Sequence, residues 1–161
     1  MVAEQSAVRV AEARRIVLVA HWLDLHAPVG HPDAPDSGPN TPGRVLPGTE
    51  RYVPSGADGT PLVAEFACAE LGALLGMHPT GARALQAKVA NLQYRHPVLH
   101  TRVCRGEVPA WKALETARLV GRTELGLTAA QAHWIDDRSH EWITTLPWAA
   151  SVELLEQLIV E

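Results

Sequence analysis

The chain has 161 residues, of which 47% are hydrophobic and 20% are charged, with a formal net charge of -4. This length suits a single domain over residues 1–161, and the apolar content excludes a disordered chain because it can offset the entropy lost on folding. No uncharged apolar stretch is as long as a membrane span, and charges near the N-terminus exclude a signal peptide, so we expect a cytoplasmic protein. Abundant Ala and Leu with few β-branched runs predict an all-α fold of about six to seven helices and no sheet.

The charges are unevenly distributed along the chain. Residues 76–122 carry eight basic and two acidic side chains, whereas residues 1–75 carry five and nine and residues 123–161 carry one and seven. A basic middle third is typical of a phosphate-binding surface, but it also fits a face that packs against the acidic C-terminal helices of the same domain. Both interpretations stay open at this stage.

A helix from Ser6 to about His26 is the first predicted element, with Ser6 as a candidate cap and Pro28 as its end. Residues 16–20 are apolar on all sides, which predicts that the middle of this helix is buried. Residues 27–61 then hold most of the prolines and half of the glycines and show no periodicity. We predict a long irregular Pro/Gly-rich loop there, either a tolerated surface excursion or, less commonly, a functional lid or docking arm.

Helical periodicity continues through the rest of the chain. The further helices are predicted, in chain order, over residues 62–75, 79–95, 97–105, 109–120, 129–145 and from 147 onward. Thr128 is the predicted cap of the helix that follows it. The last amphipathic pattern is still running at Glu161, which suggests a fragment, a shortened gene product or a helix that completes its burial against a partner.

The second and third predicted helices, joined by the three residues Gly76-Met77-His78, form a helix-turn-helix-like pair. A helical wheel for Pro79 to Arg95 gives one apolar and one polar side, and the polar side could enter a DNA major groove. Arg83 could bind a guanine edge and Asn91 an adenine edge, with the other basic residues on phosphates. The candidate DNA-binding residues are Thr80, Arg83, Lys88, Asn91, Arg95, Arg102 and Arg105. Packing inside a helical bundle without any nucleic acid is the alternative.

No cofactor, metal or catalytic constellation is predicted. The histidines and carboxylates at helical spacing are His96 with His100, His133 with Asp137 and Glu141, and Asp136 with His140. Two or three ligands on one exposed helix rarely make a tight zinc site, so we expect these residues to lie on solvated helix faces. Cys68 and Cys104 have no metal-binding or redox spacing and are expected to be reduced packing thiols. The five Trp residues are expected in the core.

Five segments of the chain resemble, in order and spacing, the bacterial family called domain of unknown function 222. They are Ala11–Arg15, Ala20–His26, Gly59–Phe66, Glu70–Gly76 and Gly106–Ala113. The resemblance covers nearly the whole chain and implies a helical N-terminal region of the kind that accompanies a C-terminal HNH endonuclease domain. The resemblance therefore agrees with the all-α prediction and adds an expected association with an HNH endonuclease domain.

Two departures from the family pattern limit what the resemblance implies. His78 stands where the family usually has a small capping hydroxyl, and nothing after Arg122 supplies the metal-binding and activating histidines of an HNH site. We therefore expect a non-catalytic DNA-binding or DNA-positioning module. The alternatives are a helical interaction or oligomerisation module that docks through Ser151–Glu161 on a partner or a second copy, and a truncated remnant of an HNH nuclease.

Overall fold

The structure is a computed structural model that describes residues 2–28 and 51–160. Most of the predicted irregular loop, residues 29–50, lies outside the described residues, as does Glu161. The described ranges form seven α-helices, one short 3-10 helix and a two-stranded hairpin. The helices are α1 (Val2–Leu25), α2 (Ala67–Leu75), α3 (Pro79–Arg95), α4 (Pro97–Cys104), α5 (Ala110–Val120), α6 (Ala129–Thr145) and α7 (Trp148–Val160), with the 3-10 turn at Thr123–Leu125. The predicted all-α single domain is confirmed.

The hairpin is the main departure from the predicted architecture, since no sheet was expected. Strands β1 (Tyr52–Pro54) and β2 (Leu62–Ala64) pair antiparallel with Val53 opposite Val63. Leu62 and Val63 were assigned to the second helix, but α2 begins only at Ala67. Three-residue strands are too short to show a period of two, so the sequence pattern could not separate them from the start of a helix.

Helix α1 is longer than predicted and begins at Val2, so Ser6 lies inside it and is not its cap. The prediction of a buried middle holds for one side only. Ile16 and Val19 are buried, whereas Val17 and Leu18 are exposed. The apolar run therefore belongs to a helix with apolar residues on two sides, of which one side contacts the domain.

The helix-turn-helix-like pair is present as α2, the turn at residues 76–78 and α3. Gly76 ends α2 in the left-handed conformation with φ of 64°, which favours glycine. His78 caps α3, because its Nδ1 accepts a hydrogen bond from the Thr80 backbone amide at 3.3 Å, and Pro79 occupies the first turn. The predicted cap of α6 is confirmed as a full capping box between Thr128 and Gln131.

Helix α3 lies at the centre of the domain, in contact with α1, α2, α4, α5 and α6. A continuous core of buried Ala, Val, Leu and Ile side chains surrounds it, including Val89 and Leu92 of α3 itself. Leu155 ties α7 into the same core, and Leu158 and Ile159 pack against it. Among the described helices, none combines the length and the apolar character needed to cross a membrane.

Candidate functional site

The first turns of α3 carry the candidate DNA-binding residues that the structure leaves accessible. Thr80 and Arg83 are exposed, and Arg83 has no ion pair or hydrogen bond within the described part of the chain. Ala84 lines a groove of about 350 Å³ between α1, α3 and α5. The exposed part of α3 is thus limited to its N-terminal end.

Lys88 is held by another helix and is not free for a phosphate. Its Nζ donates to Glu115 of α5 at 2.5 Å, and Arg118 donates to the same carboxylate at 2.6 Å. Burial alone would raise the pKa of Glu115, but the hydrogen bonds from these two cations lower it below its ordinary value. The three side chains, two cations and one carboxylate, form a cluster with a net charge of about +1 that ties α3 to α5.

Asn91 and Arg95 were predicted to contact DNA, and the structure contradicts both roles because both side chains are buried. Asn91 Oδ1 accepts the Ala57 backbone amide at 2.8 Å. Arg95 is 0% exposed and donates from Nη1 to the Asp58 carbonyl at 2.6 Å and from Nη2 to the Leu127 carbonyl at 3.0 Å. Burial also lowers the pKa of the Arg95 guanidinium. The polar side of α3 therefore anchors the turn of the β-hairpin instead of facing solvent.

Arg102 and Arg105 lie apart from this end of α3, in an open groove of about 790 Å³ between α4 and α6. Arg102 donates to Glu107 at 2.9 Å and to the His140 carbonyl at 2.8 Å, so its donors are largely used within the domain. Arg105 is exposed. No α3 residue lines the described groove, so the structure does not bring the seven candidates together on one surface.

His96 and Asp136 are both buried where α3, α4 and α6 meet, with His96 Nδ1 3.9 Å from Asp136 Oδ1 and neither ring nitrogen hydrogen-bonded among the described residues. Asp136 accepts the Val98 and Leu99 backbone amides at 2.8 and 3.2 Å, which caps the first turn of α4 from a different helix. Burial lowers the pKa of His96 to about 3, and the Arg95 charge adds to this effect. Burial also raises the pKa of Asp136 to about 6, against the two amide hydrogen bonds. The pair is a structural joint inside the domain.

The residues with metal-binding or nucleophilic chemistry do not converge. The described residues contain no group of three His, Cys, Asp or Glu side chains that could hold a metal ion. His96 is buried and not on a solvated helix face, contrary to expectation. Cys68 is a buried packing thiol as predicted, but Cys104 is exposed, and partial burial raises the pKa of its thiol. Trp111 is also exposed, whereas the other four tryptophans pack against the core.

A second, unpredicted feature is the side of α1 that faces away from the domain. We define the outer face of α1 as Val10, Arg14, Val17, Leu18, His21 and Leu25, which share one side of a regular helix. Its four apolar side chains are 44%, 48%, 68% and 64% exposed in chain order. The opposite side, with Ile16, Val19 and Leu23, is buried in the core. Residues 4–11 are exposed all around the helix.

The sequence did contain a signal for this face. Val10 and Val17 are seven residues apart, as are Leu18 and Leu25, which is the spacing of a helix that packs against another helix. This spacing was not recognised because the inner side of α1 is apolar as well. A segment that is apolar on both sides has the pattern of a fully buried helix.

Comparison of the chain with protein-family models, with curated proteins and with solved structures gives no match. The resemblance to domain of unknown function 222, and the nuclease association that it implies, therefore stay predictions from the sequence. A functional proposal depends on what the fold exposes and what it buries.

Proposed function

We propose that this chain is a non-catalytic helical interaction module that binds a protein partner through the outer face of α1. The observation that supports this proposal most directly is an exposed apolar face on one helix. The side chains of this face all project from the domain on the same side of α1: Val10, Val17, Leu18 and Leu25. Contiguous apolar surface on a water-soluble domain is typical of an interaction site. Every 100 Å² of it that is removed from water contributes roughly 2.5 kcal/mol to association before the costs of binding.

The N-terminal part of α1 supports the same proposal. Residues 5–11 are helical, and their side chains are exposed on every side of the helix. Short helical segments without tertiary contacts are marginally stable in water. A partner helix lying along α1 would supply those contacts, in the manner of a coiled-coil or helix-in-groove complex.

Helix α7 is less suited to be the docking element that the sequence suggested. Leu155 is fully buried, and Leu158 and Ile159 already pack against the core of their own domain. Among the large apolar residues of α7 in the described range, Val160 is the one that is strongly exposed. The interaction surface is therefore assigned to α1.

The non-catalytic part of the proposal is supported by the side chains that could act as nucleophiles. Cys104 is the exposed thiol, and a raised pKa is the opposite of what a reactive cysteine requires. His96, which has the most perturbed histidine pKa, is sealed in the core away from any substrate.

Site-specific photo-cross-linking in the native cells tests this function. A photoreactive amino acid at Leu18 should give a discrete protein adduct, because that position faces the partner. The same group at Ala69, which is exposed on α2, is the matched control and should give no adduct. Absence of any adduct from Leu18, with the protein folded and present at the same level, would contradict the proposal.

DNA binding is a second candidate function, supported by the exposed Thr80 and Arg83 at the capped first turn of α3. Fluorescence anisotropy of a labelled duplex across a salt series measures it. Arg83→Glu should abolish binding, whereas Arg9→Glu makes the same charge change at an exposed site on α1 and should retain it. Equal binding curves for the two variants would exclude α3 as the DNA-binding element.

A further inference from the structure

The outer face of α1 is complementary to a copy of itself. Val10 lies seven residues before Val17, and Leu25 lies seven residues after Leu18. A two-fold axis placed between Val17 and Leu18 therefore sets Val10 of one copy opposite Leu25 of the other. The same axis sets Val17 opposite Leu18. Every large apolar side chain of the face then meets another apolar side chain, as an isologous two-fold interface requires.

We infer that the partner of this face is a second copy of the chain, with the two α1 helices packed antiparallel in this register. The inference rests on the proposed function and adds the identity and the geometry of the partner. Each contact occurs twice, once on each side of the two-fold axis. The apolar area buried in the interface is therefore twice the area that one copy contributes.

The charges on α1 favour the antiparallel arrangement over a parallel one. In a parallel pair Arg14 would face Arg14 and His21 would face His21 across the seam. Reversing one helix separates the two arginines, sets Arg14 opposite His21 of the second copy and places it within about one turn of Asp24 of that copy. Asp24 is exposed beside the outer face, and its carboxylate, which already accepts a hydrogen bond from Tyr94, can accept a further one from that guanidinium.

The exposed N-terminal segment fits this geometry. In the antiparallel register residues 7–11 lie beside residues 24–28 of the second copy, at the end of α1 that is anchored in the domain. The free end of each helix is thereby laid along the firmly packed end of the other. A helix segment whose side chains are exposed in its own chain gains contacts from the second copy.

The oligomeric state is measured first, by sedimentation equilibrium of the full chain over a wide concentration range. We expect the mass to rise from monomer to dimer with concentration. Leu18→Glu should stay monomeric at every concentration, while Ala69→Glu, the same change at an exposed site on α2, should behave as the unmodified chain. Circular dichroism of both variants establishes that each is folded, so a monomeric Leu18→Glu variant reports on the interface and not on the fold.

Disulfide cross-linking then tests the register. In a Cys104→Ser background, which removes the exposed native thiol, a Val10→Cys chain is mixed with a Leu25→Cys chain. The mixed disulfide should form on the order of tenfold faster than either homodimeric disulfide, because only the mixed pair places the two thiols opposite each other. Faster formation of the Val10→Cys homodimer would instead establish a parallel pair and overturn the inference.

The two proposals fail in different ways. A chain that stays monomeric at every concentration, yet gives an adduct of another mass from the photoreactive group at Leu18, overturns the second-copy partner and leaves the interaction module standing. A monomeric chain with no adduct from Leu18 overturns both.

Discussion

Helices α1 and α3 depart from the usual amphipathic arrangement in opposite directions. Helix α3 buries polar side chains, including Asn91 and Arg95, whereas α1 exposes large apolar ones such as Leu18 and Leu25. The difference follows from their places in the fold. Helix α3 has neighbours on nearly every side, so even its polar side meets other elements, while the described neighbours of α1 lie along one side.

This contrast shows what a helical wheel can and cannot decide. A helical wheel shows which sides of a helix are polar and which are apolar. It does not show how many of those sides are covered by neighbouring elements. On α3 the polar side chains serve as internal connectors, since Asn91 and Arg95 hold the backbone of Ala57 and Asp58 in the hairpin turn. On α1 the second apolar side stays exposed.

Removal of the Arg95 guanidinium should have the largest effect on stability. Arg95→Met keeps much of the volume but removes a 0% exposed guanidinium that donates hydrogen bonds to the Asp58 and Leu127 carbonyls. Each charge-assisted hydrogen bond contributes about 2 kcal/mol, so we expect a loss of about 4 kcal/mol in the free energy of unfolding, measured by urea denaturation. Arg83→Met should change it by less than about 0.5 kcal/mol. Similar midpoints for the two variants would contradict the internal role of α3.

Asn91→Ala should give the next largest loss. The substitution deprives the partly buried Ala57 amide of its acceptor, which costs about 2 kcal/mol. Hydrogen exchange of the hairpin amides should accelerate more than exchange of the α5 and α6 amides, because the lost contact is local. Thr80→Ala, at the exposed end of α3, is the control and should leave hairpin exchange unchanged.

The acid stability of the domain should depend on the buried pair at the α3–α4 junction. Because the pKa of His96 is lowered from 6.5 to about 3, the unfolded chain binds more protons between those values and this group makes stability rise with pH. The pKa of Asp136 is raised from 3.8 to about 6, so in that range the native state binds more protons and this group makes stability fall as pH rises. The two contributions oppose each other between about pH 4 and pH 6.

Asp136→Asn removes one of these opposing contributions. The free energy of unfolding of this variant should therefore rise with pH more steeply than that of the unmodified chain, by about 1 kcal/mol per pH unit between pH 4 and pH 6. Denaturation at a series of pH values measures the difference. Asp137→Asn, at the exposed neighbouring position, should run parallel to the unmodified chain. Parallel curves for Asp136→Asn as well would show that the buried carboxyl does not titrate in this range.

The helices of the C-terminal two thirds were predictable because their signals are local. Thr128 as a cap, Gly76 as a C-terminal stop and Pro79 at a first turn each act within four residues. The hairpin was missed because its strands are short and are fixed by side chains that arrive from α3. That information lies more than thirty residues away in sequence.

The candidate site was less predictable than the fold for the same reason. Thr80 and Arg83 are exposed, but the burial of Asn91 and Arg95 depends on which loop packs against α3. Lys88 and Arg102 were predicted to contact phosphates, and in the structure each is partly accessible and donates to a carboxylate of another segment, Glu115 and Glu107 respectively. Pairing across the fold cannot be inferred from residue type or from spacing along one helix.

The smallest effect on stability is expected on the outer face of α1. Leu18→Gln removes an apolar side chain that is 68% exposed, so it should change the free energy of unfolding by less than about 0.5 kcal/mol at concentrations where the chain is monomeric. Leu23→Ala, five residues away and 1% exposed, should cost about 3 kcal/mol. A loss near the Leu23→Ala value for Leu18→Gln would mean that the outer face is covered within the chain itself. A small loss leaves that face available to a partner, and its apolar character is then accounted for by association and not by folding.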